Sequence, residues 1–125
     1  MTKIKSIEEI IAIFSDFAEI KRDVFEGGDY KKLNRYEKKL IKIFKSFEEN
    51  EEYGYYCIDE LLNSHDIVIL NKVATYCLAL NYRVDEAENI LRNIRDSKEC
   101  GMSSLEAKWS LESWKKNGKF VIYRI

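Results

Sequence analysis

The single histidine of the chain, His65, stands between Ser64 and Asp66. Serine, histidine and aspartate are the residue types of a nucleophilic triad, in which the histidine takes the serine proton and the aspartate orients the histidine. Triad members meet in space from distant positions in the chain, so three consecutive residues do not make one. The tripeptide therefore predicts a loop or the start of a helix, not a hydrolase site.

Other residue types that could support chemistry are present without the required spacing. Cys57, Cys77 and Cys100 form an odd, widely spaced set with no CxxC pair, which fits neither a zinc site nor a disulfide framework. Gly27-Gly28 lacks the Lys-Ser/Thr that follows a phosphate-binding loop. We therefore expect a protein that is not an enzyme, with no catalytic residues, no cofactor and no metal site.

An acidic, tyrosine-rich segment is the first candidate for binding a macromolecule. Residues 48–66 contain seven acidic residues and no lysine or arginine, and three tyrosines interrupt the acids. On a helix at most two of these tyrosines can point inward, and an exposed tyrosine is a favoured interface anchor. The carboxylates would steer a basic protein toward it, whereas the ordinary alternative is core tyrosines beside a solvated acidic loop. The predicted partner-binding residues are Glu49, Glu51, Glu52, Tyr53, Tyr55, Tyr56, Asp59 and Glu60.

A basic stripe is the second candidate. Residues 31–45 contain seven basic residues against the single acid Glu37, and most of the bases recur at helical spacing. Such a stripe is either a solvated helix face or a surface that binds nucleic acid weakly and with steep salt dependence. It lacks the arginine and aromatic grouping that favours base recognition.

The overall composition bounds the class of protein. The chain has 125 residues, no proline, 46 % apolar and 34 % charged residues, and a net charge of −1. These values predict one compact helical domain over residues 1–125 and exclude an argument from bulk charge for nucleic-acid or membrane binding. No apolar run approaches the ~20 residues of a membrane span, and Glu8 and Glu9 interrupt any secretory signal. We expect a cytoplasmic protein.

Apolar residues recur with a period near 3.6 along most of the chain, which predicts six helices. Residues that favour helix ends agree with this period. The predicted starts are Ser6 with Glu9, Asp29, Ser64 or Asp66, Asp85 with Glu88, and Ser103 or Ser104. The predicted ends are Gly27-Gly28, Asn81 and Gly118.

The six helices pair naturally as three hairpins over residues 6–49, 53–80 and 85–117. Hairpins of this length form the units of HEAT-like and armadillo-like α-α superhelices, and a compact six-helix bundle is the competing arrangement. The β-prone tail over residues 120–125 is expected to lie extended across the last helices. We expect the buried face of the sixth helix to contain Leu105, Ala107, Leu111 and Trp114. Trp109 is expected to lie at a partner surface or under the tail.

Residues 63–118 carry a resemblance to a known family. The segments that carry it are Asn63–Val68, Val73–Leu80, Glu86–Leu91 and Ile94, followed by Ala107, Leu111, Trp114, Lys115, Lys116 and Gly118. This combination is similar to a bacterial domain-of-unknown-function family of small HEAT-like proteins. Some relatives are encoded beside polymorphic toxin genes, so the resemblance implies an immunity role.

Two functions follow as expectations. The first is a protein-binding module, most concretely an immunity protein that neutralises a basic toxin domain. The alternative is a helical adaptor that associates with nucleic acid through the lysine-rich face of the second helix. A toxin gene upstream of this one would favour the first function, and phosphate-column retention that collapses at moderate salt would favour the second.

Overall fold

A computed structural model of the protein describes residues 5–122. These residues contain no strand and are 81 % helical, a fraction that includes a short 3-10 helix at Lys98–Cys100. Their six α-helices are α1 (Ile7–Phe25), α2 (Tyr30–Glu49), α3 (Glu51–Leu61), α4 (Ile67–Leu80), α5 (Val84–Asp96) and α6 (Met102–Asn117). The predicted all-α class is confirmed.

The predicted extended tail is only partly described. Residues 118–122 follow α6 and are not helical. Residues 123–125 lie outside the described part of the chain.

The helices form two compact units, α1 to α3 and α4 to α6, and the boundary falls between Asn63 and Ser64. This boundary lies inside the hairpin predicted over residues 53–80. The arrangement as three stacked hairpins and the single domain over residues 1–125 both stay predictions.

Phenylalanines fill the core of the first unit. Phe14 and Phe17 of α1 and Phe44 and Phe47 of α2 are buried, because apolar residues three or four positions apart share one helix face. Side chains cap the starts of all three helices, as expected where backbone N–H groups lack helical partners. The N–H groups of Glu9, Lys31 and Tyr53 donate to the side chains of Ser6, Asp29 and Asn50.

Helix α4 is the central element of the second unit. Between Val68 and Leu78, all of its residues except Leu70 and Lys72 are buried. The buried positions include Asn71, whose side-chain amide donates to the Ser103 carbonyl at 3.2 Å. Because an unpaired amide in this position would be costly, the bond ties α4 to the first turn of α6.

The structure corrects the predicted start of α5. Asn81, the residue directly after α4, adopts the left-handed conformation (φ 56°) and terminates the helix, as predicted. Helix α5 then begins at Val84, directly after Arg83, which is also left-handed (φ 51°). Asp85 therefore lies in the first turn and does not cap the helix.

The predicted start of α6 is also wrong. The helix begins at Met102 after Gly101, so Ser103 and Ser104 lie inside it and neither caps it. The Ser104 hydroxyl instead donates to the carbonyl of Arg95 at 2.6 Å. This hydrogen bond therefore links the first turn of α6 to the end of α5.

Fewer of the predicted residues of helix α6 are buried in the core. Ser103, Ala107 and Leu111, four residues apart, are its buried residues. Leu105 lies on the opposite side and is exposed, and Trp114 in the last turns is only partly buried. The prediction of a buried side chain is therefore wrong for Leu105 and only partly confirmed for Trp114.

Candidate protein-binding surface

The outward face of α3 carries an exposed tyrosine between two carboxylates. Glu52, Tyr56 and Glu60 are four residues apart, so they lie on one line along the helix, about one turn from each other. All three are exposed, and Tyr56 as a whole residue keeps 53 % of its accessible surface. Asp59, partly exposed, is three residues from Tyr56 and borders the same line. We call Glu52, Tyr56, Asp59 and Glu60 the acidic ridge.

The buried side of α3 determines which residues form the ridge. Gly54, Cys57, Ile58 and Leu61 are buried and share the opposite face of the helix. The rotation of α3 about its axis is therefore set by its core contacts, and Tyr56 points outward as a result.

Tyr53 has a structural role within the first unit. Its hydroxyl donates to the backbone carbonyl of Lys5 at 2.7 Å, and its ring meets Phe47 edge-on with centroids 5.7 Å apart. Burial, followed by the nearby Cys57 thiol, raises the pKa of Tyr53 to about 12. The contacts that engage this side chain belong to the fold, so Tyr56 is the better placed anchor for a partner.

The other predicted partner-binding residues lie off the ridge line. Tyr55 is only partly exposed. Glu51 is the first residue of α3, where a carboxylate interacts favourably with the helix dipole. Glu49 is the last residue of α2 and lies one turn after Lys45, on the basic side of that helix. The structure therefore groups Glu52, Tyr56, Asp59 and Glu60 and separates Glu49, Glu51, Tyr53 and Tyr55 from them.

The basic stripe predicted for residues 31–45 is a continuous face of α2. Its seven side chains are all exposed and cover an arc opposite the buried residues Leu40, Phe44 and Phe47. We call this surface the lysine face, and it extends over about 21 Å of helix. It consists of Lys31, Lys32, Arg35, Lys38, Lys39, Lys42 and Lys45.

The Ser-His-Asp tripeptide is the start of α4. The Ser64 hydroxyl accepts the Asp66 N–H at 3.0 Å, and the Asp66 carboxylate accepts the Val68 N–H at 2.9 Å. His65 is exposed between them. The serine and the aspartate are thus both bonded to nearby backbone, as is usual where a helix begins.

Residues 5–122 contain no group of three or more histidine, cysteine, aspartate or glutamate side chains placed to hold a metal ion. In the same part of the chain, no helix combines the length and the apolar run that crossing a membrane requires. Cys57 and Cys77 are buried thiols as predicted, and Cys100 is partly exposed.

Comparisons of the chain with protein-family models, with curated proteins and with solved structures find no match.

Proposed function

We propose that this protein is a non-enzymatic protein-binding module that acts in the cytoplasm as an immunity protein and neutralises a basic toxin domain. The observation that carries the proposal is the solvent-exposed Tyr56 between Glu52 and Glu60. The resemblance of residues 63–118 to a family of small HEAT-like proteins, some of which are encoded beside toxin genes, supports the same role.

The ridge combines two contributions to binding. A tyrosine contributes a large apolar area with a polar tip and loses little conformational entropy when it is buried, so Tyr56 would slow dissociation. Carboxylates at the rim mainly accelerate encounter with a partner of opposite charge. A basic enzyme that acts on nucleic acid would present such a charge.

The proposal also covers the arrangement of the helices. We propose that the helices are the hairpin units of a HEAT-like α-α superhelix with a short extended C-terminal tail. Neighbouring helices that pack on each other, such as α1 on α2 and α5 on α6, support hairpin units. The three free cysteines agree with the reducing cytoplasm.

The test requires the partner, which we would seek as the product of the neighbouring gene and by co-purification from the source cells. Once a complex is found, Tyr56→Ala is expected to weaken binding by about 2 kcal/mol or more, mainly through faster dissociation. Tyr30→Ala is the matched control, because Tyr30 is also an exposed tyrosine in the first unit. Equal affinity for wild-type protein and folded Tyr56→Ala would exclude the ridge as the binding surface.

The charge contribution has its own test. Glu52→Gln with Glu60→Gln is expected to slow association by about tenfold at low salt, and added salt should reduce the difference. Glu19→Gln with Asp23→Asn removes the same charge from exposed positions of α1 and should leave the rate near that of the wild type. If both pairs slow association equally, net charge and not the ridge governs encounter.

The lysine face favours a second candidate function, a nucleic-acid-associated adaptor. Seven exposed bases on one side of α2 could neutralise several phosphates, and the affinity would then fall steeply with salt. Lys38→Gln with Lys42→Gln should lower the affinity for duplex DNA. The same change should make that affinity depend less steeply on salt concentration. Lys115→Gln with Lys116→Gln, which removes two exposed bases from α6, should change neither if the lysine face is the DNA-binding surface.

A further inference from the structure

The first unit carries two exposed surfaces of opposite charge. The lysine face consists of seven bases, and Glu37, the acid within the same stretch of α2, is partly buried and lies outside their arc. The acidic ridge belongs to residues 46–71, which contain no lysine or arginine. The start of α1, which contacts α3, brings to that side one base and two acids, Lys5, Glu8 and Glu9. Each surface is therefore predominantly of one sign.

The two surfaces lie on different sides of the unit. Helices α2 and α3 meet where Gly54 packs on Phe47. Lys38 precedes Phe47 by about two and a half turns, so it lies on the opposite side of α2. Tyr56 follows Gly54 by about half a turn, so it lies on the opposite side of α3. The lysine face and the acidic ridge both point away from this contact, and neither can cover the other within one copy of the chain.

The charged groups of the two surfaces recur at similar distances. Glu52 and Glu60 are about 12 Å apart along α3. Arg35 and Lys42 are about 10 Å apart along α2. When α3 of one copy lies along α2 of another, each of these carboxylates can therefore meet one of these cations.

The residues between the charges also match. Tyr56 lies midway between the two carboxylates, and Lys38 lies between the two cations. An ammonium group is attracted to the face of a tyrosine ring, and one such contact forms within α2, where Nζ of Lys39 lies 4.3 Å from the centroid of the Tyr36 ring. The same pairing of Lys38 with Tyr56 would cover the exposed ring.

We propose that two copies of the chain associate head to tail, with the acidic ridge of one on the lysine face of the other. Because the two surfaces lie on different sides of the unit, each pair leaves one ridge and one lysine face free, and further copies can add. Contact between two ridges or between two lysine faces would oppose like charges. A nucleic acid would cover the lysine face alone, whereas a second copy of the chain accounts for both surfaces.

This proposal uses the acidic ridge but needs no toxin. A copy whose ridge is covered would bind a basic toxin domain only after its neighbour is displaced, so self-association would regulate access to the ridge. The experiment contains this chain alone, and either proposal can therefore fail without the other.

The experiment measures mass by sedimentation equilibrium at protein concentrations up to about 1 mM, because exposed ion pairs are individually weak. At about 20 mM ionic strength, the average mass of the wild-type chain should rise above that of one copy as the concentration increases. At about 0.5 M salt the mass should fall to that of one copy, because salt screens exposed charges.

Two variants separate the surfaces. Glu52→Lys with Glu60→Lys alters the ridge and leaves the lysine face intact, and Lys38→Glu with Lys42→Glu does the reverse. Each variant alone lacks one of the two complementary surfaces and should associate at least about tenfold more weakly than the wild type. An equimolar mixture should restore the wild-type affinity in a pair of one copy of each, with no larger species.

Two further variants control for net charge. Glu19→Lys with Asp23→Lys on α1, and Lys115→Glu with Lys116→Glu on α6, make the same changes of charge at exposed positions outside both surfaces. Each should associate nearly as the wild type does. Circular dichroism first establishes that every variant is helical.

The proposal is wrong if the wild-type chain remains a single copy throughout the low-salt series, or if the mixture forms no pair. Equal loss of association in the control variants would also refute it and would mean that net charge governs the contact. Association that persists at about 0.5 M salt would refute it too, and would place the contact at an apolar surface such as the exposed Leu105 and Trp109 of α6.

Discussion

A Cβ atom at position 54 would lie 2.8 Å from the Cβ atom and 3.0 Å from the Cα atom of Phe47. Helix α3 therefore approaches α2 at a point where glycine alone fits without displacement. Because Phe47 is fully buried, it has little freedom to move aside.

Gly54→Ala is expected to destabilise the protein by about 1–3 kcal/mol, the usual cost of forcing an extra methyl group into a packed core. Inside a helix, alanine is otherwise more stable than glycine by roughly 0.5–1 kcal/mol. A net loss of stability therefore requires that the steric clash with Phe47 cost more than this gain. Urea unfolding measures the difference. Ser15→Ala, at an exposed position in the middle of α1, is the control and should leave stability unchanged or slightly increased. A stabilising effect of Gly54→Ala would contradict the close approach.

Tyr53→Phe is expected to lower stability by about 0.5–1.5 kcal/mol near neutral pH, because the Lys5 carbonyl loses its donor. Tyr56→Phe removes an exposed hydroxyl and should change stability by less than about 0.5 kcal/mol. Chemical unfolding of both variants beside the wild type gives the comparison. Equal effects would show that the hydroxyl bond to Lys5 contributes nothing.

Alkaline pH provides a separate test of the same residue. The fold raises the pKa of Tyr53 from its ordinary value near 10 to about 12, so it favours the neutral phenol. The associated stability is fully present below about pH 10 and is lost as the pH rises through about 12. Tyr53→Phe cannot ionise, so its stability should fall less than that of the wild type between about pH 9 and pH 12. Parallel alkaline curves would argue against a perturbed Tyr53.

Asn81 gives a test of backbone conformation that does not depend on contacts. Its φ of 56° is costly for most residues, less so for asparagine and free for glycine. Asn81→Ala should therefore cost about 1 kcal/mol, whereas Asn81→Gly should cost nothing or stabilise slightly. Thermal unfolding of the two variants measures the difference, and equal midpoints would mean that the turn is not left-handed.

Asn71→Ala is expected to destabilise the protein by about 1–3 kcal/mol, since it leaves the Ser103 carbonyl without its buried donor. Asn93→Ala, on the exposed side of α5, is the control and should change stability by less than about 0.5 kcal/mol. Urea unfolding at neutral pH is sufficient. If both variants behave alike, the link between α4 and α6 does not contribute to folding.

Local chemistry made several helix ends predictable from the sequence. Ser6, Asp29 and Asp66 each bond a backbone N–H two or three residues ahead, and this interaction depends on neighbouring residues alone. The starts of α5 and α6 have no side-chain cap, so Asp85 and Ser103 gave a misleading signal.

Helix rotation could not be predicted where apolar residues lie on two sides. Helix α6 has apolar residues at Leu105 and Trp109 as well as at Ala107 and Leu111, and the period alone does not say which pair is buried. The same holds for the tyrosines of α3. That Tyr56 is the exposed one follows from the packing of Gly54 on Phe47, a contact between two different helices.

The separation of charge within the first unit determines how the protein binds to ion-exchange resins. Carboxylates gather on the outer side of α3 and ammonium groups on the lysine face of α2, while the whole chain has a net charge of −1. Each of these two surfaces therefore carries charge of mainly one sign, although the molecule is nearly neutral overall. At low ionic strength the protein should therefore be retained on anion- and cation-exchange resins alike, by a different face on each, and salt should release it from both.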